Sequence, residues 1–362
     1  MSSDGSGRHA GWAGSVETGI RDLDPGYFAF VMATGIISTG AFTLGPSWLS
    51  TTLLVVASAG FSILAGALVI WLARYRSRVA AELQAPERVF GFFAISASCD
   101  VLGARYAAAG HPMVTTVLAC AAAVVWFALT YGVPASLLLG RQRDSILGGI
   151  NGTWLLWVVA TQSLSVVSAT LLPAWPSQSV LLATAAIALW SVGLLLYVLL
   201  IGLIWLRWLA VAMTAATLSP PYWILMGATG ITVLAGADIL GLPAGLPAVG
   251  TIAGYVKGTC FVFWSFGTWL IPLLIVLGLW RHILRQWPLR YEADLWTVVF
   301  PLGMYSVASL SFGKASGISF MEPLSRGALW GAAAAWLLAA AAGLAQLARR
   351  LATGRGGATR SP

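Results

Sequence analysis

Charge is the scarcest commodity in this chain. Only 9% of its 362 residues are Asp, Glu, Lys or Arg, whereas a soluble globular domain carries about 25%. That excludes a soluble enzyme of ordinary composition. It also excludes a disordered chain, which needs high charge and few apolar groups. The formal net charge of +8 rests on 20 bases, too few for the basic stripe of a nucleic-acid binder. Histidine is limited to His9, His111 and His282, none of them where a proton relay would need one. The three cysteines, Cys99, Cys120 and Cys260, lie far apart in apolar runs. With no CxxC and no neighbouring His they read as small buried hydrophobes, and an odd count gives no disulfide framework. HExxH, GxGxxG, GxxxxGK[ST] and GxSxG are all missing, so nothing points to metalloprotease, nucleotide or hydrolase chemistry. No enzyme activity, metal or cofactor is expected.

Apolar residues fill the space that charge leaves. They make up 59% of the chain, and the mean hydropathy is +0.85. Ten apolar segments follow one another, near 26–45, 50–72, 90–109, 113–139, 149–172, 179–206, 221–240, 251–280, 295–316 and 327–348. About 20 helical residues cross a bilayer core of roughly 30 Å. Lipid offers no partner to a backbone N–H or C=O, so the spans are expected to be helices. Outer-membrane strands would alternate, and these runs do not. The sequence therefore predicts an all-α integral membrane domain over residues 25–348. Residues 1–24 are polar and Gly/Ser-rich without an apolar h-region, and are read as a disordered cytosolic leader rather than a signal peptide. Residues 349–362 read as a basic, disordered cytosolic tail.

Charge also sets a direction. With the N-terminus inside, the cytosolic segments hold 16 of the 20 bases, and only Arg105, Lys257, Lys314 and Arg326 remain in the spans or outside. Such a bias predicts an N-in/C-in topology with ten spans in the cell (plasma or inner) membrane. Outer links such as 173–178 are short and uncharged, and inner links such as 73–89 are longer and amphipathic. Five helical hairpins follow.

The chain repeats itself. PGYFAFVMATGI from Pro25 and PPYWILMGATGI from Pro220 match at one constant offset, including Ala33/Ala228, Thr34/Thr229, Gly35/Gly230 and Ile36/Ile231. WLLWVVATQS, from Trp154, echoes them with Thr161. FGFFAISASCD and WTVVFPLGMYS keep the aromatic start more loosely. All five repeats open odd-numbered spans, whereas the even spans are rich in Leu, Ala and Val. A pseudo-fivefold ring follows, with odd helices about a central pore and even helices outside. Thr34, Ser98, Thr161, Thr229 and Gly303 are the candidate pore-lining residues. Close helix packing is the competing explanation for the same small and hydroxyl residues. Pro301 removes a backbone donor within the ninth span and is expected to kink it.

Charges within spans are costly and mark functional positions. Asp100 lies midway along the third span, with Arg105 farther out. Asp238, Lys257 and Lys314 lie toward the outer ends of the seventh, eighth and ninth. Arg105, Asp238, Lys257 and Lys314 are expected to share an outer vestibule whose excess positive charge gathers anions, unless Asp238 forms a structural ion pair with Arg105 or Lys257. Asp100 is either a titrating group or a neutral structural acid.

Taken in order, PGYFAFVMATGIISTG, NGTWLLWVVATQSL, PPYWILMGATGI and LWTVVFPLGMYSVAS resemble the tellurite-resistance/dicarboxylate transporter family over roughly residues 20–350. That family, part of the voltage-dependent anion channel superfamily, includes bacterial tellurite-resistance protein homologues, fungal malate permeases and sulfite pumps, and plant slow anion channels. The resemblance implies a pore in each subunit of a homotrimer, with a phenylalanine on the ninth helix plugging it. The matching residue here is Phe300. The implied substrate is a small anion: a C4-dicarboxylate, a sulfite- or tellurite-like oxyanion or an inorganic anion. Either it crosses a gated conduit, or a carrier moves it with a proton taken by Asp100. The long phosphorylatable tails of the plant channels are absent, so kinase gating is not implied.

Overall fold

The computed structural model describes residues 17–139 and 146–356. Residues 1–16 of the expected leader, 357–362 of the expected tail, and Arg141 and Arg143 of an expected inner link lie outside the described residues. Everything regular among the described residues is helical.

Ten helices carry the architecture: α1 (Ala29–Leu44), α2 (Ser47–Arg74), α3 (Phe93–Ala108), α4 (Pro112–Leu139), α5 (Leu156–Leu171), α6 (Ser179–Ala210), α7 (Ile224–Leu240), α8 (Pro247–Leu279), α9 (Trp296–Ser316) and α10 (Met321–Gly356). The odd helices have 16 to 21 residues, the even ones 28 to 36. The end of the bundle where the odd helices begin is termed basal, the other apical.

Each odd helix is entered through one 3₁₀ turn: Pro25–Phe28, Val89–Phe92, Gly152–Leu155, Pro220–Trp223 and Ala293–Leu295. Local chemistry explains them. Pro25 and Pro220 stand at first positions, where no N–H is needed and φ is already set. The Asp24 carboxylate accepts from the Gly26 N–H at 2.7 Å, and Asn151 Oδ1 accepts from the Thr153 N–H at 2.8 Å, as capping side chains do. The aromatic residues of the repeat sit in these turns and pack together, as Phe90 does on Trp154 with ring centroids 4.4 Å apart. The five turns touch in a closed cycle at the basal end.

The helices follow the same order. α1 packs on α3, α3 on α5, α5 on α7, α7 on α9, and α9 back on α1. Each even helix packs on the odd helix before it and touches the odd helix after it. In four of the five cases the second contact carries a tryptophan N–H. Trp126 of α4 donates to Thr161 Oγ1 at 2.8 Å, Trp190 of α6 to the Thr232 carbonyl at 3.0 Å, Trp264 of α8 to Ser309 Oγ at 2.9 Å and Trp336 of α10 to Thr34 Oγ1 at 2.9 Å. Ser58 of α2 bonds the Tyr106 hydroxyl of α3 at 2.8 Å in the fifth. Burial follows these layers. The apolar windows of α1, α5, α7 and α9, with their turns, are 67–83% buried, those of the even helices 11–28%.

Nine helices among the described residues are long and apolar enough to cross a membrane. The segment Val89–Ala108 is not among them, because Asp100, Arg105, Ser96 and Ser98 dilute its apolar run. Basic residues gather at the basal end, where Arg78 and Asp22 pair at 2.6 Å and Arg88 and Glu82 at 2.7 Å. The Arg21 guanidinium, hydrogen-bonded to Asp22, holds that carboxyl below the usual carboxylate range. Such exposed pairs contribute little to stability.

The basal cycle is tightest where Gly152 meets Pro221. A Cβ on Gly152 would lie 2.1 Å from the Pro221 carbonyl oxygen, a backbone atom with no freedom to swing away. Gly152→Ala should therefore destabilise the protein by about 1–3 kcal/mol, as overpacking does. Gly202→Ala, with open space around the position, should be neutral. Thermal unfolding midpoints in detergent check both.

Candidate functional site

The five odd helices wall a single cavity of about 610 Å³. Each contributes a stripe spaced three or four residues apart, so that one helical face looks inward. α1 gives Ile36, Thr39 and Thr43; α3 gives Asp100, Val101, Ala104, Ala107 and Ala108; α5 gives Ser163, Val166 and Thr170; α7 gives Ile231, Leu234 and Asp238; α9 gives Met304, Val307, Leu310 and Ser311. Gly110 of the α3–α4 link, Pro112 at the start of α4, and Pro173 and Ala174 of the α5–α6 link complete the lining, so the cavity reaches the apical end.

At its basal limit stand Ile36, Ile231 and Met304. Phe300 lies one helical turn basal of Met304 on the same face of α9, and it is 1% exposed. Its neighbour Pro301 stays within a continuous α9. The Pro301 ring packs against Gly227 of α7, where a Cβ would come within 2.8 Å of Pro301 Cγ. The glycine makes room for the proline beside Phe300.

The cavity's charge differs from the sequence expectation. The charged residues bordering it are Asp100 and Asp238, and no base joins them. Arg105 turns between α1 and α2 instead. Its Nε donates to Ser38 Oγ at 3.1 Å, one Nη to Ser50 Oγ at 2.8 Å, and its guanidinium lies over the Phe42 ring at 4.3 Å. The two serines also bond each other's backbone carbonyl, at 2.7 and 2.8 Å. Lys257 reaches the Ser316 carbonyl at 3.4 Å on the surface, and Lys314 is exposed. No ion pair joins Asp238 to Arg105 or Lys257 among the described residues. The physical reason is rotation along the helix: Arg105 is one residue past Ala104, which faces the cavity, and a step of about 100° carries it to the neighbouring hairpin.

The same rotation moves the expected lining residues. Thr34, Ser98, Thr161, Thr229 and Gly303 do not border the cavity. Thr34 donates to the Phe30 carbonyl, Ser98 to Ile95, Thr161 to Trp157 and Thr229 to Met226, the usual back-bonding of hydroxyls in helices. Thr34 and Thr161 also accept the indole N–H groups of outer helices. Thr229 and Gly303 serve packing: a Cβ on Gly267 of α8 would meet Thr229 Oγ1 at 2.3 Å, and one on Gly303 would meet Ile36 at 2.8 Å. Sequence reasoning missed Thr39, Thr43 and Ser163. The signal was in the repeat: at the offset that pairs Ile36 with Ile231, Thr39 falls on Leu234 and Thr43 on Asp238, three lining positions of α1 matched by three of α7.

Three buried polar atoms near the axis lack hydrogen-bond partners among the described residues: both carboxyl oxygens of Asp100 and Oγ of Ser163. Their residues are 1% and 2% exposed. Among the described residues no group of His, Cys, Asp and Glu is placed to hold a metal ion.

This geometry separates an accessible mouth from a sealed floor. In a Cys120→Ser background, Thr43→Cys should be modified quickly by a hydrophilic thiol reagent added to protein in detergent. Phe300→Cys should resist under the same conditions. Intact mass of the labelled protein reads the difference.

Comparison with known proteins finds relatives named as membrane proteins and transporters. An uncharacterized membrane protein of Mycobacterium tuberculosis (strain H37Rv) is 44% identical over 162 residues, 45% of this chain and 81% of that protein. An uncharacterized transporter of Methanocaldococcus jannaschii is 24% identical over 321 residues, 86% of this chain and 89% of its own length. A second transporter of the same organism, also uncharacterized, is 25% identical over 141 residues, 39% of this chain and 40% of its own. The family described as voltage-dependent anion channel matches residues 22–344, from just before the first basal turn far into α10. The chain therefore belongs to the voltage-dependent anion channel family.

Proposed function

We propose that this protein passes small anions across the cell membrane along the axis of its inner helices, with Phe300 as the gate. One observation carries the reading: the five odd helices wall a cavity that reaches the apical end and stops one turn short of Phe300. Family membership and relatives named as transporters support the same class of function.

The closed cycle of odd-helix contacts supports a pseudo-fivefold ring of five hairpins around a central pore. Val89–Ala108 is taken as the tenth span, since α3 is enclosed by α1, α4 and α5, and protein neighbours tolerate the charges that lipid would not. Arg74, Arg76, Arg78, Arg207, Arg281 and Arg285 at the basal end support a cytosolic basal face and an N-in/C-in topology. In this reading Thr39, Thr43, Ser163, Thr170 and Ser311 line the path in place of the threonines that clasp the outer layer. Lys257 and Lys314 act from the apical surface, where they raise the local anion concentration. The resemblance in sequence adds a homotrimer, which would cover part of the exposed apolar surface of the even helices. Substrates in scope are C4-dicarboxylates, sulfite- or tellurite-like oxyanions and inorganic anions.

A second reading has its own observation. Asp100, which borders the cavity and whose buried carboxyl oxygens have no hydrogen-bond partner among the described residues, suits a carrier that takes a proton with its substrate. Uptake driven by a pH gradient and lost in Asp100→Asn favours the carrier; uptake that follows voltage alone favours the conduit.

The gate is tested by anion flux into proteoliposomes. Phe300→Ala should raise flux roughly tenfold, which corresponds to ~1.4 kcal/mol off the barrier. Unchanged flux through protein shown by size exclusion and circular dichroism to be folded would remove Phe300 from the gate.

A further inference from the structure

Three arginines are buried among the described residues, and they are not held alike. Arg105 bonds Ser38 and Ser50. Arg207, at the basal end of α6, donates to the Tyr222 hydroxyl at 3.0 Å and to Met213 Sδ at 3.4 Å. Arg281 is 7% exposed, yet it makes no hydrogen bond among the described residues. Its Nε is shut off from solvent, whereas its two Nη groups keep accessible surface. The guanidinium lies over the Trp287 ring, 5.5 Å from the centroid. Glu292 and Asp294 act on it electrostatically without forming an ion pair. An orientation signal does not require this burial: Arg285 and Arg290 supply that signal from exposed positions. A guanidinium drawn out of water with its donors unused asks for an acceptor.

Arg281 borders a cavity of about 140 Å³ between the α6–α7 link, the end of α8 and the start of α9. Small-molecule pockets begin at roughly 300 Å³, so this one suits a single group and not a whole metabolite. The chain reaches it through a π-helical turn, Trp280–Leu284, that prolongs α8, an irregularity frequent at functional sites. Ser219, Trp223 and His282 join Arg281 in the lining. Each carries a hydrogen-bond donor, and no carboxylate borders the cavity.

Toward the bilayer the lining changes character. Leu274, Leu277 and Gly278 stand one to two turns apical of Arg281 on α8, with Val298 on α9. A Cβ on Gly278 would meet nothing within 4 Å. The cavity is thus cationic and rich in donors at the basal surface, and apolar and open at membrane depth. A phospholipid presents its groups in the same order.

We infer that this cavity seats the phosphate of an anionic phospholipid from the basal leaflet. The Arg281 Nη groups donate to two phosphate oxygens, a geometry for which the planar guanidinium is suited. The lipid's apolar part leaves along Leu277 and Gly278. Free inorganic phosphate offers the same acceptors but has nothing to lay along that wall. A choline headgroup would bring its own cation toward Arg281 and the exposed Arg285. The site stands whether or not the axis of the bundle conducts.

Native mass spectrometry of the full-length protein, titrated with lipid in detergent, gives the dissociation constant of the first lipid bound. The probes are dioleoyl phosphatidylglycerol and dioleoyl phosphatidylcholine, with inorganic phosphate as a competitor. Phosphatidylglycerol should bind roughly tenfold more tightly than phosphatidylcholine, and an equal concentration of phosphate should not displace it. Arg281→Gln should weaken phosphatidylglycerol roughly tenfold, the effect of losing hydrogen bonds from a charged donor. Gly278→Leu fills the open space, leaves Arg281 in place and should also weaken it. Arg290→Gln removes the same charge from an exposed position and should leave the constant as it is.

Equal affinity of the wild type for the two lipids overturns the site, and that measurement needs no variant to fold. So does an Arg290→Gln protein that loses as much affinity as Arg281→Gln, since diffuse basal charge would then explain the binding. Full affinity in Gly278→Leu rules out the apolar wall as the lipid's path and with it the proposal. Displacement by an equal concentration of inorganic phosphate would overturn the assignment to lipid.

Discussion

The constraint that organises this protein is that polar groups within a bilayer must find partners inside the protein. The indole N–H groups of the outer helices show how it is met. Trp126, Trp190, Trp264 and Trp336 each reach across to the next inner helix and end on a hydroxyl or carbonyl there. Each bond satisfies a buried or half-buried tryptophan and ties one hairpin to the next. Repeated around the molecule, it closes the inner helices into a cycle while the long outer helices take the lipid. Hydrophobic burial alone would not do this, because lipid tails are as apolar as leucine and give no drive for one helix to seek another.

That division of labour leaves the inner face of the odd helices free. Thr34 and Thr161 are used up by the clasp, and Thr229 by packing on α8, so the axis is lined by the stripes that remain: mainly alanine, valine and isoleucine, with a few hydroxyls and two carboxyls. The positive charge expected there went elsewhere. Arg105 became a buried cross-link between hairpins, held by two serines and an aromatic ring, and its task is architectural. The charged residues that border the cavity are Asp100 and Asp238, so no fixed positive charge lies along its wall.

Closure is concentrated at the basal end and in the middle. The 3₁₀ turns pack backbone to backbone at Gly152 and Pro221, with aromatic side chains between them. Phe300 is buried a turn above, beside a proline that a glycine of α7 accommodates. The apical half holds the cavity. Such an arrangement leaves open space in the apical half and close packing below it.

Much of this was legible in the sequence, because composition and period are local properties. Apolar runs gave the helices, the distribution of arginine suggested a direction, and the repeat of PGYF and PPYW foretold that odd and even helices would play different parts. The motif order identified the family. What the sequence could not supply was rotation about each helix axis. Thr34 and Ile36 are two residues apart and both belong to the repeat, yet one faces an outer tryptophan and the other the cavity. Arg105 and Ala104 are adjacent, yet they face different hairpins. A step of about 100° per residue makes the difference between structural clasp and lining, and that phase is fixed by which neighbours a helix packs against, a property of the assembled bundle alone.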